Sequence, residues 1–411
     1  MDQGILVIID TQNSIEVNIN TEEMQLLCES AKVELLDTIS FKRNSPDPNL
    51  FLGKGQCEYL SNVAFELGAN VLIFSEELSP TQIRNLENIT DKRIVDRTEL
   101  ILDIFAQRAK SNEGKIQVEL AQLQYMLPRL TGKGVEMSRI GGGSGVATRG
   151  PGETKLETDK RKIKDKISKL KKDLQTIEKQ RAVSNKNRVY SQVTNVSLFG
   201  YTSAGKSTLL SKLTGEEFYT DAMLFATLDS VTRKVNLNNN HSIFLSDTVG
   251  FLQRLPHNII AAFKSTLEDL KIADILIHLV DTTKDDIKEN IETVNTVLKE
   301  LNIENKPVIL AFNKCDIAEK SKLQELYYTY NDCIFISAKT GYGIEDLFKK
   351  VEKIISENFK FIKIILPYNN KNLNLIYKYG KIKTLEYIDR GTYIECEVPK
   401  EIYYYFQDYI V

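Results

Sequence analysis

The sequence predicts an α/β fold. A mostly parallel, doubly wound sheet is expected to follow an α/β domain with a long helical hairpin and to precede a small α+β domain. Short apolar runs alternate with helical patterns between residues 194 and 356, which favours parallel strands joined by helices. A glycine-rich turn follows the first of these runs. At 411 residues, the chain is long enough for two or three domains.

Residues 1–112 are expected to form an N-terminal α/β domain. Apolar residues 5–9 and 71–74 are typical of buried strands, and residues 21–36 favour a helix. Pro80 follows Ser79, and proline is common at the first helical position because its missing N–H would have no helical partner there. A further helix is therefore predicted from Pro80.

Residues 113–190 are expected to form the helical hairpin. Apolar side chains recur at spacings of three and four in 115–130 and in 154–181, which predicts two amphipathic helices. The segment between them is too rich in glycine for regular structure. We therefore expect two helices joined by a flexible loop.

Positive charge is concentrated in this hairpin, and two interpretations remain open. The lysines and arginines could form a solvated helix face with ion pairs between neighbouring turns. They could instead contact RNA phosphates and release counterions; glycines beside arginines favour this, because bare backbone can approach a phosphate closely. The candidate RNA-binding residues are Arg129, Lys133, Arg139, Arg149 and Lys155.

The doubly wound sheet is predicted within residues 191–357, and a small α+β domain within 358–411. The expected strands of the sheet are at 196–199, 242–246, 275–280, 308–312 and 334–336. The last part of the chain is rich in tyrosine and isoleucine, with turn signals at 368–370 and 389–391.

Composition excludes several classes of protein. Hydrophobic residues make up 42% and charged residues 27%, as in globular rather than disordered chains. The net charge is −2, so any nucleic-acid surface must be local. Five cysteines without a CxxC pair favour a reducing compartment, and three histidines lack metal-site spacing. No apolar run approaches the ~20 residues of a membrane span. We expect a cytoplasmic protein, monomeric in solution.

The glycine-rich turn has the pattern GxxxxGK[ST] between a strand and a helix, which is typical of a phosphate-binding P-loop. Backbone N–H groups would surround the β-phosphate, Lys206 would lie between the β- and γ-phosphates, and the Ser207 hydroxyl would hold Mg²⁺. A chance glycine turn is the alternative, and the strand-then-helix context argues against it. The expected contacts are Gly200, Tyr201, Thr202, Ser203, Ala204, Gly205, Lys206, Ser207 and Thr208.

A DxxG motif follows the next predicted strand, at the kind of strand end where open α/β sheets bind ligands. It consists of Asp247, Thr248, Val249 and Gly250. Asp247 would bind Mg²⁺ through water, and the Gly250 N–H would contact the γ-phosphate.

Two later motifs identify the base. In Asn313-Lys314-Cys315-Asp316, the Asp316 carboxylate can accept two N–H bonds from guanine, whereas adenine lacks that donor pair. Asn313 would orient the base and Lys314 would cover its face. In Ser337-Ala338-Lys339, the Ala338 N–H can reach the guanine O6. Each motif alone could be a surface turn; together, in this order, they predict GTP and GDP as ligands and Mg²⁺ as cofactor.

A switch threonine is expected between the P-loop and DxxG. Thr227 is preferred, with Thr220 and Thr232 as alternatives, and it would close onto Mg²⁺ and the γ-phosphate. Phe251 stands after Gly250, where many GTPases carry a glutamine that orients the attacking water. We therefore expect slow intrinsic hydrolysis, with Lys206, Thr227 and Gly250 as the catalytic residues. The switch segment adds Phe225, Ala226, Leu228 and Asp229 as nucleotide contacts.

Motifs outside the GTP-binding ones resemble the HflX family of ribosome-associated GTPases, and the resemblance covers nearly the whole chain. The matching segments are Glu77-Leu78-Ser79-Pro80-Thr81-Gln82, Asp96-Arg97-Thr98, Leu102-Asp103-Ile104-Phe105, residues 117–123, Leu127-Pro128-Arg129-Leu130 and residues 148–157. Tyr201, residues 225–229 and Val249-Gly250-Phe251 also match. Ser203 departs from the family, which usually has asparagine at this position.

The resemblance implies a GTPase stimulated by the large (50S) ribosomal subunit, with the glycine loop reaching 23S rRNA near the peptidyl-transferase centre. It implies that GTP drives the splitting or rescue of stalled or stress-inactivated ribosomes. Two alternatives remain: a GTP-regulated rRNA-binding factor in large-subunit assembly, and an unrelated P-loop enzyme or kinase that would prefer ATP.

Overall fold

A computed structural model of the chain gives the backbone of residues 2–10, 14–43, 45–130, 151–189, 193–216, 224–225, 231–237, 242–248, 250–251, 268–357, 359–368 and 370–411. The chain divides into two compact units. The first comprises Met1–Ile177, Asp221–Asp229 and Arg254–Lys264, and the second comprises Glu178–Thr220, Ser230–Gln253 and Ser265–Val411. Within the described residues, no helix is both long enough and apolar enough to cross a membrane.

The first unit contains a four-stranded parallel sheet in the order β2-β1-β3-β4. Ile5, Val7, Leu72 and Phe74 point into its core. The strands are β1 (Gln3–Asp10), β2 (Glu34–Lys42), β3 (Val71–Phe74) and β4 (Arg93–Asp96). The helices among them are α1 (Ser14–Ser30), α2 (Lys54–Glu66), α3 (Pro80–Thr90) and α4 (Arg97–Arg108).

Helix α3 begins where the sequence predicts. The Ser79 hydroxyl accepts a hydrogen bond from the Gln82 N–H at 3.2 Å, and the Gln82 side chain accepts one from the Ser79 N–H at 2.8 Å. This reciprocal cap satisfies two N–H groups that the first turn leaves without helical partners.

One helix is not where the sequence predicts it. The expectation at 21–36 combined the end of α1 with the start of β2, because α1 ends at Ser30 and β2 begins at Glu34. Lys32 takes a left-handed conformation with φ of 62°, which ends the helix. The Glu34 N–H then donates to the Asp2 carbonyl and starts the pairing with β1. Strand pairing therefore overrides the local helical preference.

Two long helices complete the first unit: α5 (Asn112–Arg129) and α6 (Pro151–Val189), whose last residues continue into the second unit. Leu120 of α5 packs with Ile167 and Leu170 of α6 in a narrow apolar seam. The Lys166 ammonium of α6 pairs with Glu119 of α5. Both predicted hairpin helices are confirmed as helices; the first spans Asn112–Arg129 rather than 115–130, and the second spans Pro151–Val189 rather than 154–181.

The second unit contains the predicted doubly wound sheet, with six strands in the order β10-β9-β8-β5-β7-β6. All neighbours are parallel except β6 and β7. The strands are β5 (Thr194–Gly200), β6 (Val231–Asn236), β7 (Ser242–Asp247), β8 (Ile275–Asp281), β9 (Val308–Asn313) and β10 (Ile334–Phe335). The helices are α7 (Lys206–Thr214), α8 (Glu268–Ile272), α9 (Ile287–Glu300), α10 (Lys320–Thr329) and α11 (Ile344–Glu357).

The C-terminal part folds as the predicted α+β element. Its antiparallel sheet has the order β11-β13-β12. One face of this sheet packs on Ile376 and Phe406. The elements are β11 (Phe359–Leu366), α12 (Leu373–Tyr379), β12 (Lys381–Ile388), β13 (Gly391–Pro399), α13 (Lys400–Tyr403) and a 3-10 helix (Tyr404–Tyr409).

Candidate functional site

The P-loop runs from the end of β5 to the start of α7, and two of its glycines have conformations that side chains rarely adopt. Gly200 has φ of 144°, and an added Cβ would lie 2.2 Å from the Leu279 carbonyl oxygen. Gly205 has φ of 94°, and an added Cβ would lie 2.3 Å from the Asn313 amide nitrogen. Only glycine fits both positions, so the backbone can curve tightly enough to surround a phosphate.

Lys206 is folded back onto the loop. Its ammonium donates to the Gly200 carbonyl at 3.0 Å and to the Tyr201 carbonyl at 2.8 Å. The side chain is buried, and burial lowers the pKa of Lys206 to about 8, a shift that the charge of Asp247 partly opposes. The two carbonyls therefore accept the hydrogen bonds of the ammonium, and phosphate oxygens could take their place.

The DxxG segment is attached to the P-loop by backbone hydrogen bonds. The Thr202 N–H donates to the Phe251 carbonyl at 2.8 Å, and the Phe251 N–H donates to the Gly200 carbonyl at 3.1 Å. A Cβ on Gly250 would lie 2.7 Å from the Thr202 methyl group and 3.1 Å from the Lys206 ammonium. The residue predicted to sense the γ-phosphate therefore lies directly against the lysine predicted to bind the phosphates.

The candidate magnesium ligands also meet. The Ser207 hydroxyl, in the first turn of α7, donates to the Asp247 carboxylate at the end of β7 across 2.7 Å. A hydroxyl and a carboxylate are hard oxygen donors of the kind that Mg²⁺ prefers. Beside them, the Thr248 hydroxyl donates to the Leu198 carbonyl at 2.7 Å and fixes the backbone that follows Asp247.

Asn313 joins the base-reading turns to the P-loop. Its side-chain amide donates to the Ala204 carbonyl at 2.7 Å, and its side-chain oxygen accepts from the Ala338 N–H at 2.9 Å. The sequence assigns that N–H to the guanine O6. The structure shows it bonded to Asn313, so a base contact must share or replace this bond.

Lys314 and Asp316 lie in the turn after β9. Lys314 has φ of 65°, and its ammonium lies 2.6 Å from a carboxylate oxygen of Asp281. Asp316 is exposed and so is accessible to a ligand. The Cys315 N–H donates to the Ile336 carbonyl at 3.2 Å, which holds this turn beside the turn of Ser337, Ala338 and Lys339.

Sequence reasoning missed two residues of this site, Asp281 and Thr282. Asp281 is the last residue of β8, the strand between β5 and β9, and Thr282 follows it. Both the N–H and the hydroxyl of Thr282 donate to the Asn313 carbonyl. A signal was present, because polar residues directly after a buried strand of a parallel sheet lie at its ligand-binding edge.

The switch candidates are only partly described. Thr227, Ala226, Leu228, Asp229, Thr220 and Val249 lie outside the described residues. Thr232, the other alternative, lies in β6, where its hydroxyl pairs with that of Ser246 at 2.8 Å.

Phe225 is expected from sequence to contact nucleotide, and the structure instead packs it in the first unit. Its ring meets that of Phe105 edge-on at 4.5 Å, and the neighbouring Leu224 N–H donates to the Ser30 hydroxyl at 2.9 Å. Both Leu224 and Phe225 are buried. We therefore assign Phe225 a packing role.

Of the RNA-binding candidates, Arg129 has a described side chain, and it points inward. Its guanidinium pairs with the fully buried Asp96 at 3.1 Å, donates to the Leu78 carbonyl at 2.9 Å and lies over the Tyr125 ring. A guanidinium engaged in this way is a structural group. Lys133, Arg139 and Arg149 lie outside the described residues, as does the side chain of Lys155, whose backbone belongs to α6.

Comparisons with known proteins place three families along the chain. Residues 18–106 match the family described as "GTP-binding GTPase N-terminal". Residues 108–188 match "GTP-binding GTPase Middle Region", and residues 195–314 match "50S ribosome-binding GTPase". The P-loop and the DxxG motif lie inside the third range.

Individual proteins resemble the chain over nearly its whole length. It is 40% identical over 411 residues to "GTPase HflX" of Caldanaerobacter subterraneus subsp. tengcongensis, covering 100% of this chain and 94% of that protein. It is also 40% identical over 403 residues to "GTPase HflX" of Lacrimispora saccharolytica, covering 98% and 95%. A GTP-binding protein from Sulfolobus solfataricus, solved with GDP, has a TM-score of 0.45 at 24% identity, covering 87% of this chain and 99% of that one.

Proposed function

The chain belongs to the HflX family of GTPases, and from this premise we propose that it is a switch that binds the large ribosomal subunit and splits or rescues stalled or stress-inactivated ribosomes. GTP hydrolysis follows from the family and its P-loop domain. The match of residues 195–314 to "50S ribosome-binding GTPase" supports the large subunit as partner. The ligands are GTP and GDP, and the hairpin loop reaches 23S rRNA.

The observation that carries the nucleotide site is the position of Asn313. One buried amide touches both the P-loop and the Ala338 turn, and the three segments are far apart in sequence. Asn313 thus joins a phosphate-binding loop to a purine-reading turn. This arrangement suits a single nucleotide, with its phosphates in the loop and its base at the turn. The exposed carboxylate of Asp316 selects guanine.

The chemistry follows from the lysine and the three candidate metal ligands. On nucleotide binding, the Lys206 ammonium exchanges the carbonyls of Gly200 and Tyr201 for phosphate oxygens. Ser207, Thr227 and Asp247 would hold Mg²⁺, with Asp247 acting through water. When bound, this ion neutralises charge that develops on the phosphates. Gly250 presents its N–H to the γ-phosphate, since its missing side chain lets the backbone come close.

The residue after Gly250 makes intrinsic hydrolysis slow. Phe251 is buried, and its backbone is held by two hydrogen bonds to the P-loop. An aromatic ring cannot hydrogen-bond the attacking water. Hydrolysis therefore accelerates when the ribosome orders the switch segments, and fast turnover by the protein alone would contradict this proposal.

A basic face on α6 supports RNA contact. Ile167 and Leu170 pack towards α5, with Ile163 and Leu174 beside them, and most of the lysines of this stretch are exposed. The exposed basic residues are Arg161, Lys162, Lys164, Lys166, Lys169, Lys171, Lys172 and Lys179. Two of them form ion pairs, Lys162 with Asp159 and Lys166 with Glu119, and exposed pairs of this kind contribute only about 0–1 kcal/mol each. Phosphates can compete for such lysines.

We further propose a division into four domains: an N-terminal α/β domain at 1–112, the rRNA-contacting hairpin at 113–190, the GTP-binding domain at 191–357 and the C-terminal domain at 358–411. We propose that the protein acts in the cytoplasm and is a monomer when free in solution.

Sucrose-gradient sedimentation tests the proposal. Full-length protein loaded with GDP, GTP or a non-hydrolysable analogue is mixed with 50S subunits and with intact 70S particles. We expect co-sedimentation with 50S in the triphosphate states and release of subunits from 70S. Binding to 50S without release would favour the alternative role in subunit assembly, and equal sedimentation in all nucleotide states would contradict a GTP-controlled switch.

Charge removal tests the RNA surface. Combining Lys169→Gln, Lys171→Gln and Lys172→Gln should weaken 50S binding. It should also reduce the magnitude of the negative slope of log K against log salt by about 2–3, if each lysine meets one phosphate. The matched control combines Lys288→Gln, Lys320→Gln and Lys353→Gln, which remove three exposed lysines of the second unit. Replacing Arg139 and Arg149 by alanine tests the loop. An unchanged salt slope in both variants would exclude the hairpin as the RNA contact.

The base assignment has its own test. Asp316→Asn should move the preference of the site from guanine towards xanthine, because an amide can donate to the xanthine oxygen where a carboxylate accepted from the guanine amine. An unchanged preference for GTP would show that Asp316 does not contact the base. A preference of the parent protein for ATP would favour the alternative of an unrelated metabolic P-loop enzyme.

A further inference from the structure

We propose that Asp281 is a positioning residue for the base site: together with Thr282 it fixes Lys314 in the conformation that covers the purine. This inference rests on the proposed nucleotide site at Asn313 to Asp316. It adds a third segment, Asp281-Thr282-Thr283 at the end of β8, to those that the recognised motifs supply.

The Asp281 carboxylate is itself held in place. One oxygen accepts hydrogen bonds from the Thr283 N–H at 2.9 Å and from the Thr283 hydroxyl at 2.7 Å. The other oxygen lies 2.6 Å from the Lys314 ammonium. The Asp281 side chain is 9% exposed, and that of Lys314 is 33% exposed. A nearly buried, pre-oriented carboxylate therefore anchors the far end of a lysine that solvent can reach.

The near end of Lys314 is fixed from the same segment. The Thr282 N–H and hydroxyl both donate to the Asn313 carbonyl, at 3.0 and 2.8 Å. That carbonyl belongs to the peptide that links Asn313 to Lys314. Lys314 has φ of 65°, a left-handed conformation that a side-chain-bearing residue keeps only when its surroundings impose it. Thr282 supplies part of that constraint.

With its backbone and its ammonium both held, the aliphatic stem of Lys314 is stretched between two fixed points. Such a stem can serve as a flat apolar surface for one face of a purine. Because its rotamer is set before the nucleotide arrives, binding does not have to order it, and preorganisation of this kind raises affinity. The effect concerns the base, so it must be the same for GDP and GTP and must leave phosphate chemistry unchanged.

A double-mutant cycle on the full-length protein tests the inference, with Kd and dissociation rate measured for fluorescent GDP and GTP analogues. We expect Asp281→Asn to weaken the binding of both nucleotides by about 10-fold, mainly through faster dissociation. Lys314→Met should cause a similar loss. The double variant should bind no more weakly than Lys314→Met alone, because Asp281 acts through Lys314.

Asp285→Asn is the matched control. Asp285 also pairs with a lysine, Lys322, at 2.9 Å, but its side chain is 94% exposed and its partner lies in α10. This variant should bind both nucleotides as the parent does. Should Asp281→Asn fail to fold, Asp281→Ser replaces it, since a hydroxyl keeps an acceptor for the Thr283 N–H and removes the charge.

Three results would overturn the inference: parental affinity in the Asp281 variant, a loss that differs between GDP and GTP, or additive losses in the double variant. Additive losses would mean that Asp281 merely supports the fold. Failure of the parent protein to bind guanine nucleotides is a different outcome, which would refute the proposed nucleotide site itself.

Discussion

The side-chain amide of Asn313 donates a hydrogen bond to the main-chain carbonyl of Ala204 across 2.7 Å. The same side chain accepts the Ala338 N–H at 2.9 Å. Asn313, Ala204 and Ala338 are all buried. One amide therefore satisfies a buried acceptor of the P-loop and a buried donor of the Ala338 turn, and it links the proposed phosphate-binding loop to the proposed base-reading turn.

Replacing this amide should loosen both turns. In Asn313→Ala, the Ala204 carbonyl and the Ala338 N–H lose their partner, and each buried unsatisfied group costs about 1–3 kcal/mol. We expect the free energy of unfolding to fall by about 2–6 kcal/mol and guanine nucleotide binding to be lost. Urea unfolding, followed by circular dichroism, measures the stability, and calorimetric titration with GDP measures the affinity.

Asn305→Ala, at an exposed position, is the control. GDP affinity equal to the parent's in Asn313→Ala would refute the coupling.

A comparison of two glycines separates the cost of a left-handed backbone from the cost of a clash with a neighbouring side chain. Gly205 and Gly215 both have left-handed φ, 94° and 70°, but only Gly205 lies against a neighbour: its added Cβ would be 2.3 Å from the Asn313 amide, whereas nothing lies within 4 Å of that of Gly215.

Gly215→Ala should therefore cost only the conformational penalty of about 1–2 kcal/mol and should leave nucleotide affinity unchanged. Gly205→Ala must also displace Asn313, and we expect at least about 100-fold weaker GDP binding, equivalent to about 3 kcal/mol. Equal affinities in the two variants would show that the approach of Asn313 to Gly205 is unimportant. Circular dichroism establishes that both variants are folded.

The segments of the proposed nucleotide site could be predicted from sequence because each of them is short and lies at a strand end. The P-loop, Asp247 and Asn313 are each recognisable from a few adjacent residues, and the parallel sheet brings them together. The contribution of Asp281 depends on which strand lies beside β9, and strand order is a property of the whole sheet. No local pattern states that order.

For Arg129, by contrast, the local sequence pattern predicts a role that its tertiary contacts do not support. As an arginine beside a glycine-rich segment, it has the local signature of a phosphate contact. Its partner, Asp96, lies 33 positions earlier, and only tertiary structure brings the two together. The helix expected at 21–36 fails for a related reason, since the pairing of Glu34 with β1 is also long-range.

The structural assignment of Arg129 can be tested directly. Arg129→Met would leave the fully buried Asp96 without its cation, although the Tyr125 hydroxyl and two N–H groups would still donate to it. We expect the free energy of unfolding to fall by about 2–3 kcal/mol. Arg84→Met, at an exposed position, should change it by less than about 0.5 kcal/mol. If Arg129→Met were as stable as the parent protein but bound 50S more weakly, Arg129 would be an RNA contact rather than a structural residue.

His278 should stay neutral well below neutral pH. Burial, and secondarily the charge of Lys206, lower the pKa of His278 to about 3, and its ring stacks on Phe199 at 4.8 Å. The unfolded chain binds a proton near pH 6.5, so protonation favours unfolding. His278 should therefore lower the stability as pH falls from about 6.5 to about 3, by about 2 kcal/mol at pH 5.

Proton NMR provides the check on His278. The sequence has three histidines, so few imidazole signals need to be resolved. The signal assigned to His278, by its loss in His278→Phe, should not shift between pH 8 and pH 5. A titration midpoint near 6.5 for that signal would show that the imidazole is accessible to water and would remove the predicted acid sensitivity.

Nucleotide binding should be accompanied by proton uptake at mildly alkaline pH. Burial lowers the pKa of Lys206 to about 8, with the charge of Asp247 opposing the shift, so about half of these side chains are neutral at pH 8. Phosphate oxygens favour the charged form and raise this pKa again. Binding of GDP should therefore take up about half a proton at pH 8 and more at pH 8.5.

Calorimetry in buffers of different ionisation enthalpy measures the uptake. Lys206→Arg is the control, because a guanidinium stays charged at these pH values; it should bind, more weakly, with no uptake from this position. A binding enthalpy for the parent protein that is the same in all buffers at pH 8 would show that the ammonium is fully charged before the nucleotide arrives.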